Sequence, residues 1–183
     1  MFVLKKQYYL YIKNTKDLDI KRIKKRNKFT VIYNSNKPEE KFDNLLRFRK
    51  KCKSKSIGFY VSNDIRLCTN LKADGLYISS YNNKRNYCYH QKIGSAHNHK
   101  EINQKNREGC RRIVLSRLFK TDYREKKGYY GLIKFNANSY KDIIALGGIR
   151  LNNINKLKLL RSDFIAILSE IKKKPAKIFS RLF

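Results

Sequence analysis

The sequence predicts one α/β domain that closes into a small barrel of parallel strands. Eight short runs of β-branched and aromatic residues recur along residues 1–183, and several spacers between them read as amphipathic helices. Strands that alternate with helices pair in parallel through right-handed crossovers, and eight repeats favour closure. A doubly wound open sheet is the alternative. The runs cover residues 8–12, 29–33, 58–62, 75–79, 92–96, 112–118, 142–147 and 164–168.

Helix-start signals follow several of these runs. Pro38-Glu39-Glu40 predicts one start, because proline fits a first turn and acids suit the positive end of the helix dipole. Asn98 predicts the cap of a second helix, and Asn152 or Asn153 that of a third. Barrels of this type seldom have fewer than about 200 residues. The chain therefore forms a trimmed barrel, and the segment 81–91 leaves too little room for a full helix.

The charge is strongly positive, with 44 Lys and Arg against 14 Asp and Glu, a net charge of +30. Such an excess attracts polyanions, yet Lys, Asn, Ile and Tyr all have AT-rich codons, and codon drift is the favoured explanation. We expect small phosphorylated substrates and no nucleic acid partner. Four scattered cysteines, the lack of a leader and the lack of a bilayer-spanning segment predict a cytoplasmic protein with no membrane contact.

Small residues end the last two predicted strands. Gly147 and Gly148 follow the seventh run, and Ser169 follows the eighth. Glycine lets main-chain N–H groups approach an anion closely, and a following helix N-terminus adds a favourable dipole. Loops after strands seven and eight commonly bind phosphate in such barrels. We predict a phosphate site here, with a tight strand-to-helix turn as the alternative.

Other strand ends offer candidate chemistry. Asn63 and Asp64 supply oxygen ligands that suit Mg²⁺, although the same pair is a common helix cap. His97 is a candidate general acid or base, or it hydrogen-bonds within its loop. Thr121 and Arg124 are typical of a mobile loop that clamps a charged substrate, or of a basic surface loop. Zinc is not favoured, because the spacing of these possible ligands matches no familiar pattern: Cys88, His90, His97 and His99.

At these residues the chain resembles the thiamine phosphate synthase family, which includes the related thiazole tautomerases. The similarity runs over about residues 58–171, and the motifs occur in one order at strand ends. They are Ser62-Asn63-Asp64, Ala73-Asp74-Gly75-Leu76-Tyr77-Ile78, Ser95-Ala96-His97-Asn98, Val114-Leu115-Ser116 with Phe119 and Thr121, Ala145-Leu146-Gly147-Gly148-Ile149, and Ile167-Leu168-Ser169. The resemblance implies a TIM barrel that joins a pyrimidine pyrophosphate to a thiazole phosphate, with Mg²⁺, and releases pyrophosphate.

The resemblance also implies roles for individual residues. Three positions hold the thiazole phosphate: Thr121, Gly148 and Ser169, with Gly147 beside them. Asn63 and Asp64 face pyrophosphate and Mg²⁺, and Ser95 faces the pyrimidine. Arg124 replaces the family's lysine in its loop.

Three departures from the family pattern bear on the pyrophosphate site. The second strand ends in Asn34 and its neighbours where the family has a basic pair, and Asn82 stands where a second metal-binding aspartate is usual. The loop after strand six reads Ser116-Arg117 and Lys120-Thr121 in place of Gly-Pro and Pro-Thr. Three hypotheses follow: a divergent synthase, which is favoured; a tautomerase-like isomerase that uses His97; or an inactive basic barrel that binds nucleic acid or a protein.

Overall fold

The parallel strands close into a barrel in the order of the chain. The structure is a computed structural model that describes residues 7–23, 28–34, 40–82, 90–116, 142–148 and 164–167. Every strand pairs in parallel with its neighbours in sequence, and the first pairs with the eighth, so the sheet has no open edge. The TIM-type barrel is confirmed and the open-sheet alternative is wrong. The strands are β1 (Gln7–Ile12), β2 (Phe29–Tyr33), β3 (Gly58–Ser62), β4 (Gly75–Ile78), β5 (Gln91–Ala96), β6 (Arg112–Ser116), β7 (Asp142–Leu146) and β8 (Phe164–Ile167).

Strand alternation divides the buried side chains into two cores. Successive side chains of a strand point to opposite faces, so every second residue enters the barrel. The inner core consists of Tyr9, Tyr11, Ile32, Tyr60, Tyr77, Ile93, Val114, Ile144 and Ala166. The outer core lies between the strands and the surrounding segments, and it includes Leu45, Phe48, Cys52 and Ile102 from the helices. The described part of the interior is therefore filled by packed side chains, four of them tyrosines.

Three α-helices lie in the described ranges: α1 (Phe42–Ser54), α2 (Ile65–Asn70) and α3 (His99–Arg107). The side chain of Asn98 accepts a hydrogen bond from the Glu101 main-chain N–H at 2.9 Å, which confirms the predicted cap of α3. The helix start predicted at Pro38-Glu39-Glu40 is too early, because α1 begins at Phe42. Glu40 instead accepts hydrogen bonds from the main-chain N–H and the hydroxyl of Thr15, and it joins the loop after β1 to the approach of α1.

Some expectations about the surroundings of the barrel lie partly outside the described residues. The helix expected after Asn152 or Asn153 lies outside the described residues. Most of the short segment 81–91 lies outside them as well. Cys52, Cys68 and Cys110 are buried and form no disulfide with a described residue. No helix within the described ranges has the length and the apolar character needed to cross a membrane.

A polar cluster closes the N-terminal end of the barrel. The Arg112 guanidinium donates a hydrogen bond to the Tyr9 hydroxyl at 3.0 Å, lies 3.5 Å from a carboxylate oxygen of Asp142, and stacks 4.4 Å from the ring centre of Phe164. Burial raises the pKa of Tyr9 to about 12, although the nearby Arg112 charge lowers it. Conversion of this phenol to phenolate is therefore strongly disfavoured in the folded protein.

Gly75 provides the space that the Tyr60 ring fills. A Cβ atom at Gly75 would lie 2.2 Å from Cε1 of Tyr60 and 2.4 Å from the main-chain oxygen of Gln91. We predict that Gly75→Ala lowers the free energy of unfolding by about 3 kcal/mol or more, because neither a paired strand nor a packed ring can move aside. Urea unfolding measures this loss. Gly58→Ala is the control, since its Cβ meets only the Thr30 side chain, at 3.0 Å, and an equal loss in both variants would contradict the prediction.

The raised pKa of Tyr9 predicts a loss of stability at alkaline pH. Below pH 10 the phenol is protonated in the folded and the unfolded chain, so its contribution is fully present there. Between pH 10 and about 12 the unfolded phenol releases its proton first, and the free energy of unfolding falls by up to about 1.4 kcal/mol per pH unit. Urea unfolding from pH 9 to 11.5 should show a shallower decline in Tyr9→Phe than in the wild type. Parallel declines would contradict the assignment.

Candidate functional site

The C-terminal ends of the eight strands surround the mouth where such barrels hold their chemistry. β7 and β8 are neighbours there, with Ala145 opposite Ile165 and Leu146 opposite Ala166. Gly147 has φ of 105° and Gly148 has φ of 64°, a backbone conformation that side chains with a Cβ rarely adopt. The two glycines therefore turn the chain sharply at the mouth, and the small Ala166 faces the interior beside them. A turn made by residues without side chains is the kind of backbone that can approach a ligand closely.

Asn63 is held in place by hydrogen bonds from the end of the neighbouring strand. It has φ of 57°, an uncommon conformation for a residue other than glycine. Its side-chain oxygen accepts hydrogen bonds from the Ser79 main-chain N–H at 2.9 Å and from Asn82 Nδ2 at 3.0 Å. Its own Nδ2 donates to the Ser79 hydroxyl at 2.9 Å. The amide of Asn63 thus joins the ends of β3 and β4 into one unit.

Asp64 is the carboxylate nearest to this unit, and it also caps a helix. Its Oδ1 accepts a hydrogen bond from the Leu67 main-chain N–H at 2.9 Å, while the side chain is exposed at the start of α2. No group of three His, Cys, Asp or Glu side chains that could hold a metal lies in the described ranges. The described residues therefore offer Asp64 as a carboxylate ligand beside Asn63. Such a pair fits a Mg²⁺ ion that keeps most of its water and shares a substrate phosphate, and it does not form a closed protein cage.

His97 lies at the mouth beside Ser116, which ends the next strand. Its Nδ1 and the Ser116 hydroxyl form a hydrogen bond, and its main-chain N–H donates to Glu101 at 2.7 Å. The same Glu101 carboxylate accepts from the Asn98 side chain at 2.7 Å, so the start of α3 is locked to the end of β5. A partner on Nδ1 orients the ring and selects its tautomer.

Polar side chains occupy the inward positions just below the rim. The Ser62 hydroxyl is buried and has no hydrogen-bond partner among the described residues, and the same holds for the side-chain oxygen of Asn34. Burying a polar group without a partner is costly, so such atoms in a native protein call for a ligand or water. Ser95 is also buried and hydrogen-bonds to Tyr77. Burial raises the pKa of Tyr77 above its ordinary value, and the Ser95 contact opposes this rise.

The structure brings most of the predicted site residues to one end of the barrel. Asn34, Asn63, Asp64, Ser95, His97, Gly147 and Gly148 all follow or end strands at this mouth. Thr121, Arg124 and Ser169 lie outside the described residues. Sequence reasoning gave no role to the inward hydroxyls of Ser62 and Tyr77. Strand alternation could have indicated both, because Ser62 lies two residues after the inward Tyr60 and Tyr77 is itself an inward residue.

A comparison with family models matches residues 11–171 to the thiamine monophosphate synthase model. A thiamine-phosphate synthase from Prochlorococcus marinus is 27% identical over 129 residues, which are 66% of this chain. The chain spans 37% of the length of that curated relative.

Solved structures show the same fold. A thiamine phosphate pyrophosphorylase from Pyrococcus furiosus superposes with a TM-score of 0.73 at 16% identity, covering 98% of both chains. Another from Bacteroides thetaiotaomicron gives a TM-score of 0.67 at 15% identity, covering 92% of this chain and 85% of the other. Since the matched model spans most of the residues, from β1 to beyond β8, the chain belongs to the thiamine monophosphate synthase family.

Proposed function

We propose that the protein joins a hydroxymethylpyrimidine pyrophosphate to a thiazole phosphate and releases pyrophosphate. The observation that supports this best is the juxtaposition, at one barrel mouth, of a glycine pair with positive φ and of buried hydroxyl and amide oxygens that have no hydrogen-bond partner among the described residues. The first feature suits a phosphate, and the second suits a neutral polar ring. Family membership supports the reaction class.

The phosphate of the thiazole is proposed to lie on Gly147 and Gly148. Main-chain N–H groups bind an anion without the desolvation of a charged side chain, and the positive φ values permit that approach. Ser169 and Thr121 complete this grip in the proposal. The bound phosphate would fix the thiazole ring so that its nitrogen points toward the pyrimidine.

The pyrimidine is proposed to sit against the inward polar residues. Ser62, Ser95 and Asn34 offer hydroxyl and amide groups, while Tyr11 and Tyr77 form an aromatic wall with ring centres 5.4 Å apart. The bond between the pyrimidine methylene carbon and the pyrophosphate oxygen breaks, and its electron pair leaves with pyrophosphate. The thiazole nitrogen then forms the new bond to that carbon.

The pyrophosphate is proposed to face Asn63 and Asp64. A Mg²⁺ ion held by Asp64 and the substrate would neutralise charge on the departing pyrophosphate. Arg124 is proposed as the cation from the loop after β6. The Asn63 amide is locked by Ser79 and Asn82, so its contribution is a fixed polar surface.

The charge of Asp64 can be tested separately from its role as a helix cap. Asn caps a helix as well as Asp, so Asp64→Asn keeps the bond to the Leu67 N–H and removes only the charge. We predict that it lowers the rate of coupled product formation, measured with Mg²⁺ and both substrates, by about 100-fold. The melting temperature should change little.

Asp43→Asn serves as the matched control, because Asp43 is an exposed acid in the first turn of α1. Full synthase activity in Asp64→Asn would remove Asp64 from the proposal. No activity in the wild type, together with tight salt-sensitive binding of random oligonucleotides, would overturn the proposed function in favour of a polyanion-binding barrel.

An isomerase of thiazole phosphates is the second candidate, and the pair of His97 and Ser116 favours it. An imidazole held at the mouth can take a proton from one ring position of the substrate and return it to another. This reaction needs the phosphate grip but no pyrophosphate site. It is therefore compatible with Asn34 and Asn82 at positions where the family has charged groups.

The two candidates respond differently to loss of the imidazole. We predict that His97→Asn lowers thiazole isomerisation, followed by proton NMR, by about 100-fold or more if the isomerase is correct. His90→Asn is the control, since His90 contacts Thr69 at 3.3 Å and lies before β5 at the other end of the barrel. Isomerisation that survives His97→Asn would exclude this candidate.

A further inference from the structure

Lys105 on α3 is completely buried, with a relative exposure of 0%. Lysine is almost never fully buried unless its charge is paired. Its ammonium donates to the Glu108 carboxylate at 2.9 Å and to the main-chain oxygen of Asn82 at 3.1 Å. The other Glu108 oxygen accepts from Gln104 at 3.0 Å. The charge is thus compensated on the helix, and its second hydrogen bond leaves the helix for the end of β4.

The wall of the barrel is adapted to the lysine stem. A Cβ atom at Gly94 would lie 2.9 Å from Cγ of Lys105 and 3.0 Å from Sγ of Cys110. Only a residue without a side chain lets the stem lie flat against β5. The stem can then pass along the strand toward the mouth.

The residue that Lys105 reaches is part of the Asn63 unit. The side chain of Asn82 donates to the Asn63 oxygen at 3.0 Å, and its main-chain N–H donates to Ser79 O at 3.1 Å. Asn63 has a positive φ, and such a conformation persists where the surrounding contacts over-determine it. The ammonium therefore belongs to the set of contacts that hold Asn63.

We propose that Lys105 is a positioning residue that acts through Asn82 on Asn63. Its ammonium holds the turn after β4 in position, and this turn fixes the orientation of the Asn63 amide at the mouth. The ligand-binding consequence rests on the proposed function, whereas the positioning itself does not. If the ion pair were purely structural, replacing one partner would destabilise the whole domain and would not affect this turn more than other segments.

Lys105→Met tests the proposal in the full chain, because it keeps the apolar stem and removes the ammonium. We expect the Ser79 amide, which donates to Asn63, to exchange its hydrogen about tenfold faster in NMR experiments. The Asn63 side-chain amide signals should shift. The Val31 amide in β2 is the internal reference and should keep its exchange rate.

Two further variants provide a control and a substitute for Lys105→Met. Lys92→Met is the control, since Lys92 donates to the main-chain oxygen of Glu108 at 3.2 Å but does not reach Asn82. Gly94→Ala displaces the Lys105 stem without changing any charge, and it should reproduce the Ser79 effect if Lys105→Met does not fold. Unchanged Ser79 exchange, or equal acceleration at Ser79 and Val31, would overturn the proposal.

Calorimetry with inorganic pyrophosphate and Mg²⁺ tests the consequence for binding. We expect Lys105→Met to raise the Kd about tenfold, and to have no added effect in an Asn63→Ala background. Equal effects in both backgrounds would show that Lys105 does not act through Asn63. If the wild type fails to bind pyrophosphate, the proposed function fails, while the exchange measurements still decide the role of Lys105.

Discussion

Closure of the sheet is the constraint on which the rest of this molecule depends. β1 pairs with β8 as well as with β2, so every described strand has a neighbour on both sides and no edge remains. A closed sheet has an interior of fixed width, and the inward side chains must fill it. Four tyrosines do so here, beside smaller residues such as Gly75 and Ala166. Large and small inward residues are complementary across neighbouring strands.

The two ends of the barrel differ in their polar groups. At the N-terminal end, the Arg112 guanidinium hydrogen-bonds to Tyr9 and lies against Asp142 and Phe164, although its Nε is buried without a hydrogen-bond partner among the described residues. At the C-terminal end, the groups without a described partner are the neutral oxygens of Ser62 and Asn34. The nearby Asp142 carboxylate reduces the cost of burying the Arg112 charge, whereas neutral groups without partners at a barrel mouth are typical of a surface that binds something. This difference agrees with the general location of ligand sites in these barrels.

Among the described residues, the part of the mouth around Asn63 consists mostly of neutral groups. Asn63, Ser79 and Asn82 share a network of hydrogen bonds, and the adjacent Asp64 caps a helix. Within the same ranges, α1 carries exposed basic residues such as Arg47, Lys50 and Lys51. Net charge therefore says little about this site, and the geometry of a few amides and hydroxyls says more.

The sequence by itself determined the barrel, its strand order, the cap at Asn98 and the residues that end each strand. These depend on local periodicity and on turn chemistry, which a chain displays without being folded. It placed the start of α1 too early, because Glu40 is used by Thr15 in another loop. Only the tertiary structure decided that Lys105 reaches Asn82 and that His97 meets Ser116. Those contacts join residues 19 to 23 positions apart, and no local pattern specifies which distant polar groups meet.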